Sequence, residues 1–136
     1  NVFREDERGF FEMKDNFFKK NGDYFYFVFR ILVAVLFIMH GWMKVSGIMS
    51  GSMSLASLMG LAAVIEVVGG ILILIGLFTR WVALIAAVEM IVAYFMVHAP
   101  NGASPLTNQG EPAVLFFAAV LVLIAFGARK WAVDKN

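Results

Sequence analysis

Between Leu55 and His98 the chain places two apolar runs back to back, LASLMGLAAVIEVVGGILILIGL and WVALIAAVEMIVAYFMVH, separated only by Phe78-Thr79-Arg80. The first run has 23 residues and one charge, Glu66, and the second carries Glu89 near its middle. A helix rises about 1.5 Å per residue and a bilayer's hydrocarbon core is about 30 Å thick, so the first run is long enough to cross a membrane. A lone carboxylate in hydrocarbon costs several kcal/mol, so each of these acids requires a partner, water or a proton. Two further apolar runs flank the pair. With 61% hydrophobic and 15% charged residues over 136 positions, the composition departs from that of soluble domains, which are about half apolar and about a quarter charged. The sequence therefore predicts an all-α fold: an integral membrane four-helix bundle, forming one domain over residues 24–136, preceded by a polar N-terminal segment, residues 1–23.

The spacing predicts spans at about 24–43, 55–77, 81–98 and 112–127. In the N-terminal segment Phe10, Phe11, Met13, Phe17 and Phe18 recur at about helical spacing among charges. That pattern suits an amphipathic helix lying in the headgroup region, or a tail packed on the bundle or on a partner. It is not the pattern of a signal peptide, because acids and phenylalanines stand where a basic region belongs. Asn21-Gly22-Asp23 reads as a turn. The first span then opens on the aromatic belt YFYFVF and closes near His40, Trp42 and Lys44. Ser46 to Ser54 and residues 99–110 read as loops, Pro100 ends the third span, and Glu111-Pro112 starts the fourth. If four spans alternate, Lys14, Lys19, Lys20, Arg80, Arg129, Lys130 and Lys135 share one side and Lys44 alone occupies the other. The positive-inside rule then puts both termini in the cytoplasm.

The ionisable groups inside the spans are the candidate site. Counting about 1.5 Å per residue from the cytoplasmic ends puts Arg30 near 9 Å and Glu89 near 12 Å, matched in depth for a charge-assisted pair. Such a pair serves equally well as a purely structural lock on helix register. Glu66 falls near mid-membrane, on a face with Ala62, Ala63, Gly69, Gly70 and Ile73 that admits close helix approach. His40, His98 and the start of the fourth span at Glu111 fall near 25 Å. His98 lies nine residues past Glu89, about half a turn round, and so joins Tyr94 and Ile91 unless the helix unwinds before Pro100. Glu66, His98 and His40 are the candidate catalytic groups, and Arg30, Glu89, Lys44, Arg80 and Glu111 the candidate binding or ion-pairing groups. No metal site is expected, since the methionines suit packing and nothing marks a porphyrin slot around the two histidines. The absence of cysteine excludes thiolate metal ligation and a thiol–disulfide relay within the chain. No basic block interleaved with aromatics points to nucleic acid.

His40-Gly41 with Lys44 and Gly47, Glu66-Val67-Val68-Gly69-Gly70, Gly76-Leu77-Phe78-Thr79-Arg80, Glu89-Met90, His98-Ala99-Pro100 and Gly110-Glu111, in that order, resemble the DoxX family of small four-helix membrane proteins. The likeness runs from about residue 28 to 134 and takes in Trp131 and Asp134. It implies a prokaryotic inner-membrane protein, often a subunit of a membrane oxidoreductase; the related DoxD proteins belong to thiosulfate:quinone oxidoreductase. It carries site roles onto Arg30, His40, Lys44, Glu66, Arg80, Glu89, His98 and Glu111. The resulting expectation is a quinone-linked redox subunit, with His40 or His98 and Glu66 serving the quinone headgroup. The chain has no redox centre of its own, so a partner subunit or a second copy is needed. The alternatives are a structural or assembly subunit without chemistry, and a small-molecule or proton carrier working as a dimer.

Overall fold

The computed structural model of the chain describes residues 2–134, with side chains from Lys14 onward, and every described element is helical. Helix α1 runs from Val2 to Met49, α2 from Leu58 to Ile75 and α3 from Thr79 to Ala93. A π-helical turn at Tyr94–His98 and a 3-10 turn at Ala99–Asn101 extend α3, and α4 runs from Glu111 to Phe126. Three segments, Lys14–Met49, Leu58–Ile75 and Thr79–Asn101, are long and apolar enough to cross a membrane. The fourth, at 16 residues, reaches about 24 Å and falls short of a full hydrocarbon core.

α1 departs from the sequence expectation at both ends. The helix passes through Asn21-Gly22-Asp23 without a turn, because Asn21 bonds its side-chain amide to the Phe17 carbonyl one turn back, a contact that supports the helix. At the other end α1 continues six residues past Met43, so Lys44 and Ser46 are helical and the connection shrinks to residues 50–57. The 48-residue helix is about 72 Å long, more than twice the hydrocarbon thickness.

α1 packs against α2 and α3 against α4, α2 joins the two hairpins through α3, and α1 meets α4 more sparsely, through aromatic rings. Glycine sets the closest approach. A Cβ on Gly41 of α1 would stand 2.8 Å from the backbone nitrogen of Val67, and one on Gly70 of α2 would stand 3.0 Å from the Ala34 carbonyl oxygen. Ala34, Phe37, Ile73, Ala83, Ala86, Val120 and Leu123 form a fully buried centre drawn from all four helices. Leu32, Leu36, Leu61, Val68, Leu84, Ile85, Val88 and Leu115 point outward and are exposed. An apolar exterior with a small-residue interior is the arrangement of a protein solvated by lipid.

The two ends of the bundle differ. At one end a strap, residues 127–134, folds back over the helix ends, and this is called the strap end. At the other, the loops 50–57 and 102–110 close the bundle, and this is called the loop end.

Candidate functional site

The Cα–Cβ bonds of a helix tilt toward its N-terminus, and this decides which charges meet. On α1 the tilt carries Lys44 from the loop end toward mid-bundle. On α2, which runs the opposite way, it carries Glu66 toward the loop end. The two converge at 2.6 Å, Nζ to Oε2, with the Glu66 side chain buried and that of Lys44 one-fifth exposed. Gly41, one turn before Lys44, makes the meeting possible by letting α2 close in at Glu66 and Val67. Glu89 of α3 lies on the other side of the same ammonium, at 3.9 Å from Oε1. Both its carboxylate oxygens are buried and have no hydrogen-bond partner among the described residues. His40, one turn before Lys44 on α1, stands edge-on to the Phe116 ring of α4 with centroids 5.2 Å apart. It is half-buried and within electrostatic range of Glu66. The interior site is therefore Lys44, Glu66, Glu89 and His40, supplied by three helices with Phe116 of the fourth alongside.

The expected Arg30–Glu89 pair does not form. Arg30 lies level with the α2–α3 turn: a Cβ on Gly76 would be 3.2 Å from its Nη1. Glu89 is ten residues into α3, about 15 Å deeper. The depth match fails because α1 projects well beyond the strap end, so Tyr24 is not the base of the span. Arg30 tilts toward the strap and is fully buried there, donating to the carbonyls of Ala128, Lys130 and Trp131. Tyr26 donates to the Gly127 carbonyl, and Asp23 pairs with Arg129 at 2.7 Å and Lys130 at 2.9 Å. Arg80 also belongs to this end, reaching the Ala125 carbonyl at 3.4 Å and lying over Gly127.

Asp134 completes the strap in a way the sequence reading missed. The residue before α3, Phe78, has a left-handed backbone and offers no side-chain cap. Asp134 supplies one from 55 residues away, accepting from the amides of Phe78 at 2.9 Å and Thr79 at 3.0 Å. A carboxylate at a helix N-terminus satisfies open N–H groups and favours the helix dipole.

His98 and Glu111 stand apart from the interior site. Pro100 cannot donate to the Met96 carbonyl, and the preceding turn widens to the π form. One extra residue per turn rotates His98 by about 100° from its regular position. Its Nδ1 meets the Asn108 carbonyl at 3.2 Å, and no hydrogen bond or ion pair joins it to Glu66, Lys44 or Glu89 among the described residues. Tyr94 reaches the Ala103 carbonyl of the same loop, so the two residues expected to share a face brace residues 102–110 together. Glu111 is exposed in the first turn of α4, where its charge complements the helix dipole. No group of three or more potential metal ligands occurs among the described residues.

Comparison with known proteins comes down on the same side as the motifs. The DoxX family model matches residues 25–99. An "Uncharacterized protein" of Haemophilus influenzae (strain Rd) is 39% identical over 129 residues, covering 89% of this chain and 96% of the relative. "Putative oxidoreductase CatD" of Bacillus subtilis (strain 168) is 31% identical over 111 residues, covering 77% of this chain and 81% of the relative. No solved structure matches the chain.

Proposed function

We propose, on the premise that the chain belongs to the DoxX family, that it is the membrane subunit of a quinone-linked oxidoreductase. The single observation that carries this reading is the Lys44–Glu66–Glu89 cluster inside an otherwise apolar bundle. The oxidoreductase name of the Bacillus subtilis relative supports it. A quinone presents two carbonyl acceptors, and reduction takes up two electrons and two protons to give the quinol. The donor set fits: Lys44 has three N–H donors, of which Glu66 uses one, and the half-buried His40 adds a ring nitrogen. The glutamates return protons to those donors. With no cysteine in the chain, the electrons come from a partner subunit. The lipid-facing exterior admits the isoprenoid tail. The distribution of lysine and arginine supports a cytoplasmic strap end and cytoplasmic termini, and the bacterial relatives support an inner-membrane location.

The test is titration of purified protein in lipid nanodiscs with a short-chain ubiquinone or menaquinone analogue. Saturable binding that Lys44→Met weakens at least tenfold is expected. Binding equal in wild type and variant, or none, overturns the reading.

One observation favours an assembly subunit instead. The part of α1 that precedes Asp23, its outermost contact with the strap, is about 32 Å long, and its Phe17 and Phe18 are exposed. If deletion of residues 1–23 abolishes the cellular role while Glu66→Gln and Lys44→Met leave it intact, that second reading replaces the first.

A further inference from the structure

The interior site holds two carboxylates and one ammonium. Lys44 is committed to Glu66, at 2.6 Å, and approaches Glu89 only to 3.9 Å. Among the described residues the two oxygens of Glu89 accept no hydrogen bond, although more than nine-tenths of its side chain is buried. From α1 the charged or titratable groups near the pair are Lys44 and His40, and from α2 Glu66. α4 contributes only apolar residues and rings to this depth, since its one acid, Glu111, sits exposed at its first residue. An ionised carboxylate lacking a donor in a low-dielectric interior is costly, and a half-compensated pair leaves that cost in place. A single proton removes it.

We propose that Lys44, Glu66 and Glu89 form a one-proton exchange site, with the proton resting on Glu89 while Lys44 holds Glu66. The inference concerns these three side chains alone and stands whether or not a quinone binds. The site has a second state that conserves charge. A small swing of the Lys44 ammonium from Glu66 to Glu89 accompanies transfer of the proton from the Glu89 carboxyl to the Glu66 carboxylate. One O–H bond breaks, one forms, and no electron moves. The proton exchanges with the loop end of the bundle. Lys44 is the partly exposed member of the cluster and stands within two turns of the end of α1. Toward the strap end the route is closed by the fully buried Ala34, Phe37, Ile73 and Ala83, and below them by Arg30. An excess proton moving that way would also approach a guanidinium that is already cationic.

Infrared spectroscopy of the full chain in nanodiscs at neutral pH tests this. Carboxyl-13C glutamate labelling marks the absorption of any protonated glutamate carboxyl by its isotope shift. The expected result is one such absorption, which downshifts in D2O and disappears in Glu89→Gln, and a second one in Lys44→Met, where both acids lose their cation. Should Glu89→Gln fail to fold, the labelled wild-type protein still decides. Of the other glutamates, Glu111 is exposed in the first turn of α4, and positions 5, 7 and 12 lie in the polar stretch that precedes the apolar part of the sequence. No labelled protonated carboxyl in the wild type, or one that persists in a folded Glu89→Gln protein, overturns the proposal. So does a spectrum in which sodium, rather than acid, is what alters the carboxylate bands.

Discussion

Arg30 and Glu89 are both buried charges, and the protein treats them in opposite ways. Arg30 meets three carbonyls of one strap, with Tyr26 and Asp23 fixing that strap from the same helix. Glu89 meets no hydrogen-bond donor among the described residues. A planar guanidinium whose two terminal nitrogens donate to backbone oxygens, with only its Nε unpaired among the described residues, is a fastening, since main-chain carbonyls cannot change charge. A carboxylate beside an ammonium already engaged elsewhere is poised to change its protonation or take a ligand. Buried charge by itself therefore says little about function in this fold. The distinction lies in whether the neighbours can answer in one way only.

That contrast can be broken experimentally, and the largest effect is expected at the strap. Arg30→Ala removes the donor from the buried Ala128 carbonyl and the half-buried Lys130 and Trp131 carbonyls and loosens residues 127–134, a loss of about 3 kcal/mol, read as a collapse of the thermal transition in detergent. An unchanged transition would mean that the strap is dispensable. Gly41→Ala acts on the other region. Its Cβ would stand 2.9 Å from the Glu66 Cβ and 2.8 Å from the Val67 backbone, so α2 must move away. About 1–3 kcal/mol is expected, together with weakened quinone-analogue binding, since the Lys44–Glu66 approach depends on this contact. Asp134→Ala removes the cap on α3 and should cost about 1 kcal/mol while leaving quinone-analogue binding unaltered. If it weakens binding as strongly as Lys44→Met, the two regions are not separable.

The sequence made one half of this comparison legible and hid the other. The apolar runs, the interior acids and the small-residue face around Glu66 follow from period and composition. So does the aromatic and basic character of the strap end. Residue spacing within a run says where a side chain lies along its own helix but not where that helix is seated against its neighbours. α1 overshoots the bundle, so a depth counted from Tyr24 put Arg30 level with Glu89 and left Lys44 outside the span. The 55-residue reach from Asp134 to α3 has no local signature either. The turn at Asn21-Gly22-Asp23 is weak punctuation inside a helix held by flanking contacts at Phe17 and the strap. The widened turn before Pro100 followed from proline's missing N–H, but its destination in the Asn108 loop did not.

Lys44, not Arg30, is the cation of the interior acids. Two double-mutant cycles on unfolding in nanodiscs test it: Lys44→Met with Glu66→Gln, and Arg30→Met with Glu89→Gln. A coupling of about 1–3 kcal/mol is expected in the first cycle and additivity within about 0.5 kcal/mol in the second. Additivity in the first cycle with strong coupling in the second would contradict it.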